Sequence, residues 1–446
     1  PMGIIDSYQE RAILPAWSKT PNDAAPEEYE PEPGGIDNHL CNLHDEATET
    51  QRRLGYAKAA QAFYALIDQQ VHSSFLAVPG FRDYLINTAI PVFVCPMNEW
   101  KGIDTKPVEF MFSDNLPATH NVRCRPVAPM QMDPVNSVLG EMQTYLFAKE
   151  ASQSPICSPC VIAPKKTPPF IRICSDFKWI NPYILMVQSY VPIITDMIHQ
   201  ANGWNYMLDI DLRRAFHQIP LGPITSNHLT VMTIKGPLRP LFLLEGCSPA
   251  TNILQQEVAR LFSGLKYGDQ IVMFDNILSG GDTIPTAIRR FKASIDVCLK
   301  KNVILNFEKC WLGWPTANFF GYEISAHGYK IDAARQEKLR KIPFPSSEKN
   351  SRAELITKTK SFLGFSVYFQ PFTHKYAEHA APLHDMCTNH FDWNESTWTI
   401  DYRAAFDRFK NALATAMELI HPDFSLQWIL LPDASDYSVG YILLQL

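Results

Sequence analysis

Two short apolar segments, YMLDIDL at 206–212 and IVMFDNIL at 271–278, each carry an acid inside a hydrophobic run. The first ends its strand on Asp211, and the second is broken by Asp275 and Asn276 at what reads as a hairpin turn. A carboxylate at the buried end of a strand gives up its hydration and needs a counter-charge. For two carboxylates that converge, a metal ion is the simplest one. Asp209 stands two residues before Asp211, so an extended strand projects it to the same face. The ~6.5 Å between alternate residues is poor reach for a shared ion, and an exposed or arginine-paired Asp209 is the simpler expectation.

The remainder of the chain is long enough to house such strands in more than one core. With 446 residues and 46% hydrophobic content, two to four subdomains are expected. No apolar stretch reaches the ~18 residues of a membrane span, and the best candidate, 84–97, is interrupted by Pro91. The chain begins at Pro1 without a charged-then-apolar leader and reads as a piece of something longer. Ten cysteines without regular spacing suit free thiols in a reducing compartment, cytoplasm or nucleus. Cys157 and Cys160 form a CxxC, but no second pair follows at zinc-ligand spacing, so a strand flanked by Pro155 and Pro159 is the better reading.

The net charge of −6 is unevenly placed: residues 1–100 hold 14 acidic and 6 basic side chains, leaving 32 and 34 for the rest. A nucleic-acid partner would therefore be gripped by a local basic channel, not by a global field. Segment 20–38 is acidic and rich in Pro and Gly, as extended linkers are. A helical pattern follows over 45–70 through Leu54, Ala57, Ala60, Phe63, Leu66 and Ile67. Beyond residue 154, IRICSDF reads as a strand, ITDMIHQA as a helix and YMLDIDL as a strand. PATNILQQEVARLFSGL reads as a helix, IVMFDNIL as a hairpin and TAIRRFKASIDVCLKKN as an amphipathic helix. That order predicts an α+β sheet with helices on one face. Residues 331–425 are expected to be mostly helical, with a strand returning in SLQWILLPDAS.

The ordered motifs SPICSPCVIAPKK, IRICSDFKWIN, DLRRAFHQI, LEGCSPATNILQ, IVMFDNIL, LNFEKC and FFGYEIS make residues 105–446 resemble the reverse transcriptase of gypsy-class LTR retrotransposons, running into the start of an RNase H domain. The resemblance implies a right-hand polymerase fold of fingers, palm and thumb with a ferredoxin-like antiparallel palm sheet. Its expected boundaries are 1–104 for an N-terminal region of unknown role, 105–205 for fingers, 206–330 for palm, 331–425 for thumb and connection, and 426–446 for the truncated RNase H start. It implies that Lys166 and Arg172 hold an incoming triphosphate, in keeping with the preference of phosphate for a point charge and a guanidinium fork. Phe216 falls at the sugar gate that rejects a 2′-hydroxyl, Gln255 in the nucleotide- and template-contacting helix, and Lys309 where a lysine protonates leaving pyrophosphate. Asp433 falls at the first RNase H metal ligand.

Further implications are two Mg²⁺ ions, or Mn²⁺, on Asp211 and Asp275, deoxynucleoside triphosphates as substrate and a primed RNA or DNA template as partner. The sequence departs from the family's YxDD box twice, with Met273 for Tyr and Asn276 for the second Asp, and it lacks the usual Pro-Phe before Gly246. A neutral Asn276 oxygen holds a hard divalent cation less well than a carboxylate does. Two expectations therefore stand side by side: RNA-directed DNA polymerisation, or a catalytically degenerate retroelement-derived protein that serves as a nucleic-acid-binding or scaffold module or is an inactive relic.

Overall fold

The computed structural model describes residues 55–148, 154–166, 168–186, 191–345, 350–388, 390–393, 395–415, 417–434 and 439–445. The expected linker at 20–38 and Leu54 of the helical pattern lie outside these. The described residues divide into two compact units, one drawn from 1–192, 208–279 and 284–313, the other from 193–207, 280–283 and 314–446.

In the first unit, the helical pattern of the N-terminal region forms α1 (55–70), whose buried stripe is Tyr56, Ala60, Phe63 and Ile67. Ala57 and Leu66 fall on its flanks and are only half-buried. Pro91 opens a short helix, Ile90–Val94, straight after a π-helical turn, Leu85–Ala89. A proline in the first helical turn forfeits no hydrogen bond. Next come α2 (Met132–Tyr145), then strands β1 (Ser158–Pro164) and β2 (Ile171–Ser175), which pair antiparallel with Ala163 opposite Arg172. Cys157 and Cys160 are buried free thiols, but Pro159 lies inside β1 and pairs with Met232, so it does not flank the strand as the sequence suggests.

The central sheet is built from β3 (Tyr206–Asp211), which also contributes its first residues to the second unit, and from later strands. The short strands β4 (Val231–Thr233) and β5 (Gly236–Leu238) extend the β1–β2 sheet instead. Helix α3 (Ala250–Phe262) follows, then the hairpin β6 (Gln270–Met273) and β7 (Asn276–Gly281), helix α4 (Ile284–Lys301) and β8 (Trp311–Trp314). Strand, helix, two strands, helix, strand, arranged in space as β6-β7-β3-β8, is the ferredoxin-like order of a polymerase palm. Both helices are amphipathic: α3 buries Leu254, Val258 and Phe262, and α4 buries Ile288, Phe291 and Ile295.

The N-terminal segment carries no chemistry-bearing motif, yet it braces the sheet. Val71 bridges Leu312 in parallel, and the His72 amide donates to the Leu312 carbonyl at 2.8 Å. Gln70 donates through Nε2 to the Glu308 carbonyl at 3.0 Å, and Phe63 and Phe93 place their rings 4.6 and 4.9 Å from Phe307. Phe81 meets Phe291 of α4 at 5.9 Å. These contacts tie the segment to β8, to the turn before it and to α4.

The second unit holds the sheet β9 (Ala317–Phe319), β10 (Tyr322–Ile324), β11 (Gly328–Ile331) and, after the helices, β12 (Leu419–Ile420). Between them run α5 (Ala333–Arg340), α6 (Arg352–Ser366), α7 (Tyr376–Asp385) and α8 (Glu395–Ala414), the mostly helical stretch that the sequence predicts. Ser351 and Glu354 close a capping box that starts α6. Phe362 of α6 packs against Phe406 and Phe409 of α8 at 4.6 and 5.8 Å. The chain then forms the hairpin β13 (Trp428–Ala434) and β14 (Val439–Gln445), with Asp433 exposed opposite Gly440. Among the described residues no helix is long and apolar enough to cross a membrane.

Gly313 tests the N-terminal brace. It has φ +81, and a Cβ there would lie 2.6 Å from the Phe75 ring. Gly313→Ala is expected to cost about 2–4 kcal/mol in urea unfolding, from the left-handed backbone and the overpacked ring together. Gly264→Ala, where a Cβ meets nothing within 4 Å, is the control expected to stay near neutral.

Candidate active site

Asp211 is 5% exposed at the end of β3. Its Oδ2 accepts from Lys309 Nζ at 3.1 Å, whereas its Oδ1 is buried with no hydrogen-bond partner. Burial pushes its carboxyl above the ordinary range, Lys309 pulls it back and the Asp275 charge raises it again. Strands β3 and β7 are the two central neighbours of the sheet, and the Leu212 amide donates to the Asp275 carbonyl at 2.8 Å, so the two acids distant in sequence meet where these central strands end. Asp275 and Asn276 are half-buried, and Asn276 Nδ2 lies 3.5 Å from Asp275 Oδ1. Asp209 differs from the sequence expectation. It is half-buried beside Asp211, with Lys309 as the cation it feels, and it makes no arginine pair among the described residues. Burial first, then the Asp211 charge, push its carboxyl up to about 7.

The hairpin that carries Asp275 turns on Phe274, whose φ of +53 is a strained value for a bulky side chain. Gln255 of α3 holds the turn from behind. Its Nε2 donates to the Val272 carbonyl at 3.1 Å and its Oε1 accepts from the Phe274 amide at 2.6 Å. Both ends of this buried amide are thus spent on backbone, and Gln255 is absent from the cavity lining described next. Gln218 does the same for the first acid: its amide bonds to the Arg213 and Ile304 carbonyls at 2.6 and 2.7 Å and to the Ile304 amide at 2.8 Å. That clamp joins the loop after Asp211 to the strand leading to Lys309. The sequence motif contained Gln218 without signalling this role.

A cavity of about 260 Å³ opens between α2, β2 and the turn after Asp211. Its lining includes Phe216 and the cations Lys165, Arg172 and Arg214. Arg172 and Phe216, distant in sequence, thus share one cavity. Lys166 is exposed and outside the lining, and Lys165 takes its place. His217 also lines the cavity, with Nδ1 buried and unpartnered, and burial holds its ring down to about 4. Arg214, Glu141 and Tyr145 were not legible as site residues, although the doubled arginine of DLRR was a visible hint. The turn at Gly246 (φ +95) is fixed by Asn181, which donates to the Gly246 carbonyl and accepts from the Ser248 amide, both at 3.0 Å. Asp433 belongs to the second unit, and no group of three or more His, Cys, Asp or Glu able to hold a metal occurs among the described residues.

Known proteins resemble the chain in sequence and in fold. The family described as an RNase H-like domain found in reverse transcriptase matches residues 398–446. The chain is 25% identical over 318 residues to a retrovirus-related Pol polyprotein from transposon 412 of Drosophila melanogaster, covering 70% of this chain and 25% of that one. It is 26% identical over 324 residues to the transposon Tf2-7 polyprotein of Schizosaccharomyces pombe, covering 73% and 23%. The chain thus spans about a quarter of the length of these relatives. A foamy viral protease-reverse transcriptase solved with dsDNA superposes with a TM-score of 0.72 at 16% identity, covering 86% of this chain and 78% of that one. The same viral protein solved with an RNA/DNA hybrid gives 0.69 at 16%, covering 86% and 50%. These structures establish the fold.

The depressed His217 sets a pH dependence. Its folded pKa of about 4 lies below the ordinary imidazole value of 6.5, so the unfolded chain binds the proton first as pH falls. Stability carried by neutral His217 is complete above ~6.5 and is lost progressively towards 4, up to ~3 kcal/mol. The difference in urea midpoint between wild type and His217→Phe is expected to change across this window and to be constant from pH 7 to 8.

Proposed function

We propose that this chain, a relative of retrotransposon Pol polyproteins that carries the reverse-transcriptase fold, belongs to the gypsy class and extends a primer on an RNA or DNA template from deoxynucleoside triphosphates. The convergence of Asp211 and Asp275, far apart in sequence, beside a basic cavity carries this reading. In the reaction the primer 3′-oxygen bonds to the α-phosphorus while the bond to the β-phosphate oxygen breaks and pyrophosphate leaves. Asp211, Asp275 and the Asn276 carbonyl oxygen would hold two Mg²⁺, or Mn²⁺. The orphaned Oδ1 of Asp211, buried at a cost unless a cation meets it, fits that role. When bound, the ions supply charge neutralisation for the attacking and leaving oxygens.

The chain's own groups do the positioning. Arg172 and Lys165 line the place for the triphosphate, and the Phe216 ring, standing in the same cavity, would leave no room for a 2′-hydroxyl. Lys309 would leave Asp211 when a cation arrives, which frees Nζ to give a proton to the leaving pyrophosphate. Asn276 withdraws one charge from the site, so the proposed enzyme is a weakened one.

A second reading, a nucleic-acid-binding module without chemistry, is favoured by the Lys309–Asp211 pair, which neutralises the buried acid with no ion at all. Primer extension on an RNA template in Mg²⁺ and then Mn²⁺ separates them. The polymerase reading expects slow extension by the wild type, a gain of about tenfold or more in Asn276→Asp, corresponding to ~1.4 kcal/mol of transition-state stabilisation, and none in Asp211→Asn. Extension by Asn276→Asp alone would mean a natural protein that binds but does not polymerise. Failure of both, with duplex still bound, would leave only the module. In either case duplex affinity is expected to fall steeply between ~50 and 200 mM salt, because phosphate contacts dominate it.

A further inference from the structure

The cavity holds one cation more than the motif reading assigns to it. Arg214 shares its lining with Lys165 and Arg172. It stands at φ +49, a left-handed backbone that turns the chain immediately before the short helix Ala215–Gln218. Its guanidinium is held on α2 by two groups: Nη2 donates to Glu141 Oε1 at 2.9 Å and Nη1 donates to the Tyr145 hydroxyl. Glu141 and Tyr145 line the same cavity. Burial raises the Tyr145 phenol, so it stays protonated and works as a fixed hydrogen-bond partner.

We propose that Arg214 is a third ligand for the polyphosphate of a bound nucleoside triphosphate, and that Glu141 is a placeholder counter-ion which the polyphosphate displaces. The inference rests on the polymerase reading of the cavity and adds a ligand and an exchange to it. The Glu141–Arg214 pair is partly exposed on both sides, with 47% and 39% of the side chains accessible, and such pairs are weak. A triphosphate brings up to four negative charges into a space already flanked by Lys165 and Arg172. It therefore competes with a single carboxylate from a position of strength, and a guanidinium can offer two parallel donors to phosphate oxygens. Tyr145 keeps Nη1 in place during the exchange, so the arginine need move little. The consequence is a link between nucleotide and α2: occupancy frees Glu141 from the turn that follows Asp211.

The test titrates a fluorescent deoxynucleoside triphosphate into the full chain, with the corresponding nucleoside as the phosphate-free control. Arg214→Ala is expected to weaken triphosphate binding by about 10–30-fold with the nucleoside unchanged, and Arg214→Lys to recover only part of the loss. Glu141→Gln, which leaves Arg214 in place without its competitor, is expected to tighten triphosphate binding by about 3–10-fold. That gain should vanish in the Glu141→Gln, Arg214→Ala double variant. Arg172→Ala serves as the reference for the cavity. Triphosphate binding that is lost in Arg172→Ala but intact in Arg214→Ala, or a Glu141→Gln variant no tighter than wild type, would overturn the role of Arg214 and leave the polymerase reading standing. No triphosphate binding by the wild-type chain would overturn both.

Discussion

A single buried carboxylate dictates much of the first unit. Asp211 sits at the end of a central strand with one oxygen on Lys309 and the other without a partner. Such a group is tolerated only where the surroundings are rigid enough to deny it water and precise enough to supply a cation. The neighbouring structure meets both conditions. Gln218 ties the loop after Asp211 to Ile304, Gln255 ties the facing hairpin to α3, and the aromatic cluster of Phe63, Phe93 and Phe307 packs under the turn that bears Lys309. Two buried amides and a hydrophobic brace thus hold a charge arrangement that loose packing would let water dissolve.

Electrostatics follow the same local logic. The chain as a whole is acidic, with a net charge of −6, yet Lys165, Arg172 and Arg214 share one cavity a short stretch of chain away from Asp211. Concave surfaces concentrate the field of a few charges, so an anionic ligand senses the cavity before it senses the net charge. The acids and the cations are contributed by different elements, β3 and the β6–β7 turn on one side, the β1–β2 hairpin and the turn after Asp211 on the other. The turn belongs to both neighbourhoods, and Arg214 lies in it.

How far the sequence foretold this arrangement depends on the range of the forces involved. Helix α3, helix α4 and the β6–β7 hairpin were readable because local periodicity and the interruption by polar residues encode them directly. The meeting of Asp211 with Asp275 was readable because a costly residue in an apolar strand demands a partner. The registration of Lys165 against Lys166 was not. Strand alternation ends at Pro164, and in the turn that follows, which side chain reaches the cavity depends on three-dimensional detail. Asp209 was expected to be exposed or paired with an arginine, because the rule for isolated acids ignores how the strand is covered. The bracing by residues 55–95 was invisible for a different reason: its contacts, such as Gln70 with Glu308, join positions 238 residues apart. Gln255 was expected at the nucleotide and Gln218 was not singled out at all, because both amides face backbone that only folding brings near.

The substitution at 276 can be weighed by the same arithmetic of charge. Asp209, Asp211 and Asp275 share one neighbourhood, Lys309 is bonded to Asp211, and burial raises the carboxyls of Asp209 and Asp211, with the Asp211 charge adding to the first and the Asp275 charge to the second. A fourth acid on the same hairpin would add repulsion that the folded chain alone could not offset, since like charges in a poorly hydrated site disfavour ionisation of each other. Asparagine removes that repulsion while keeping an oxygen in place, and its Nδ2 faces Asp275 Oδ1 at 3.5 Å. The exchange favours the stability of the folded chain. The Lys309–Asp211 pair carries that preference, because it meets the buried carboxylate with a cation of the chain's own.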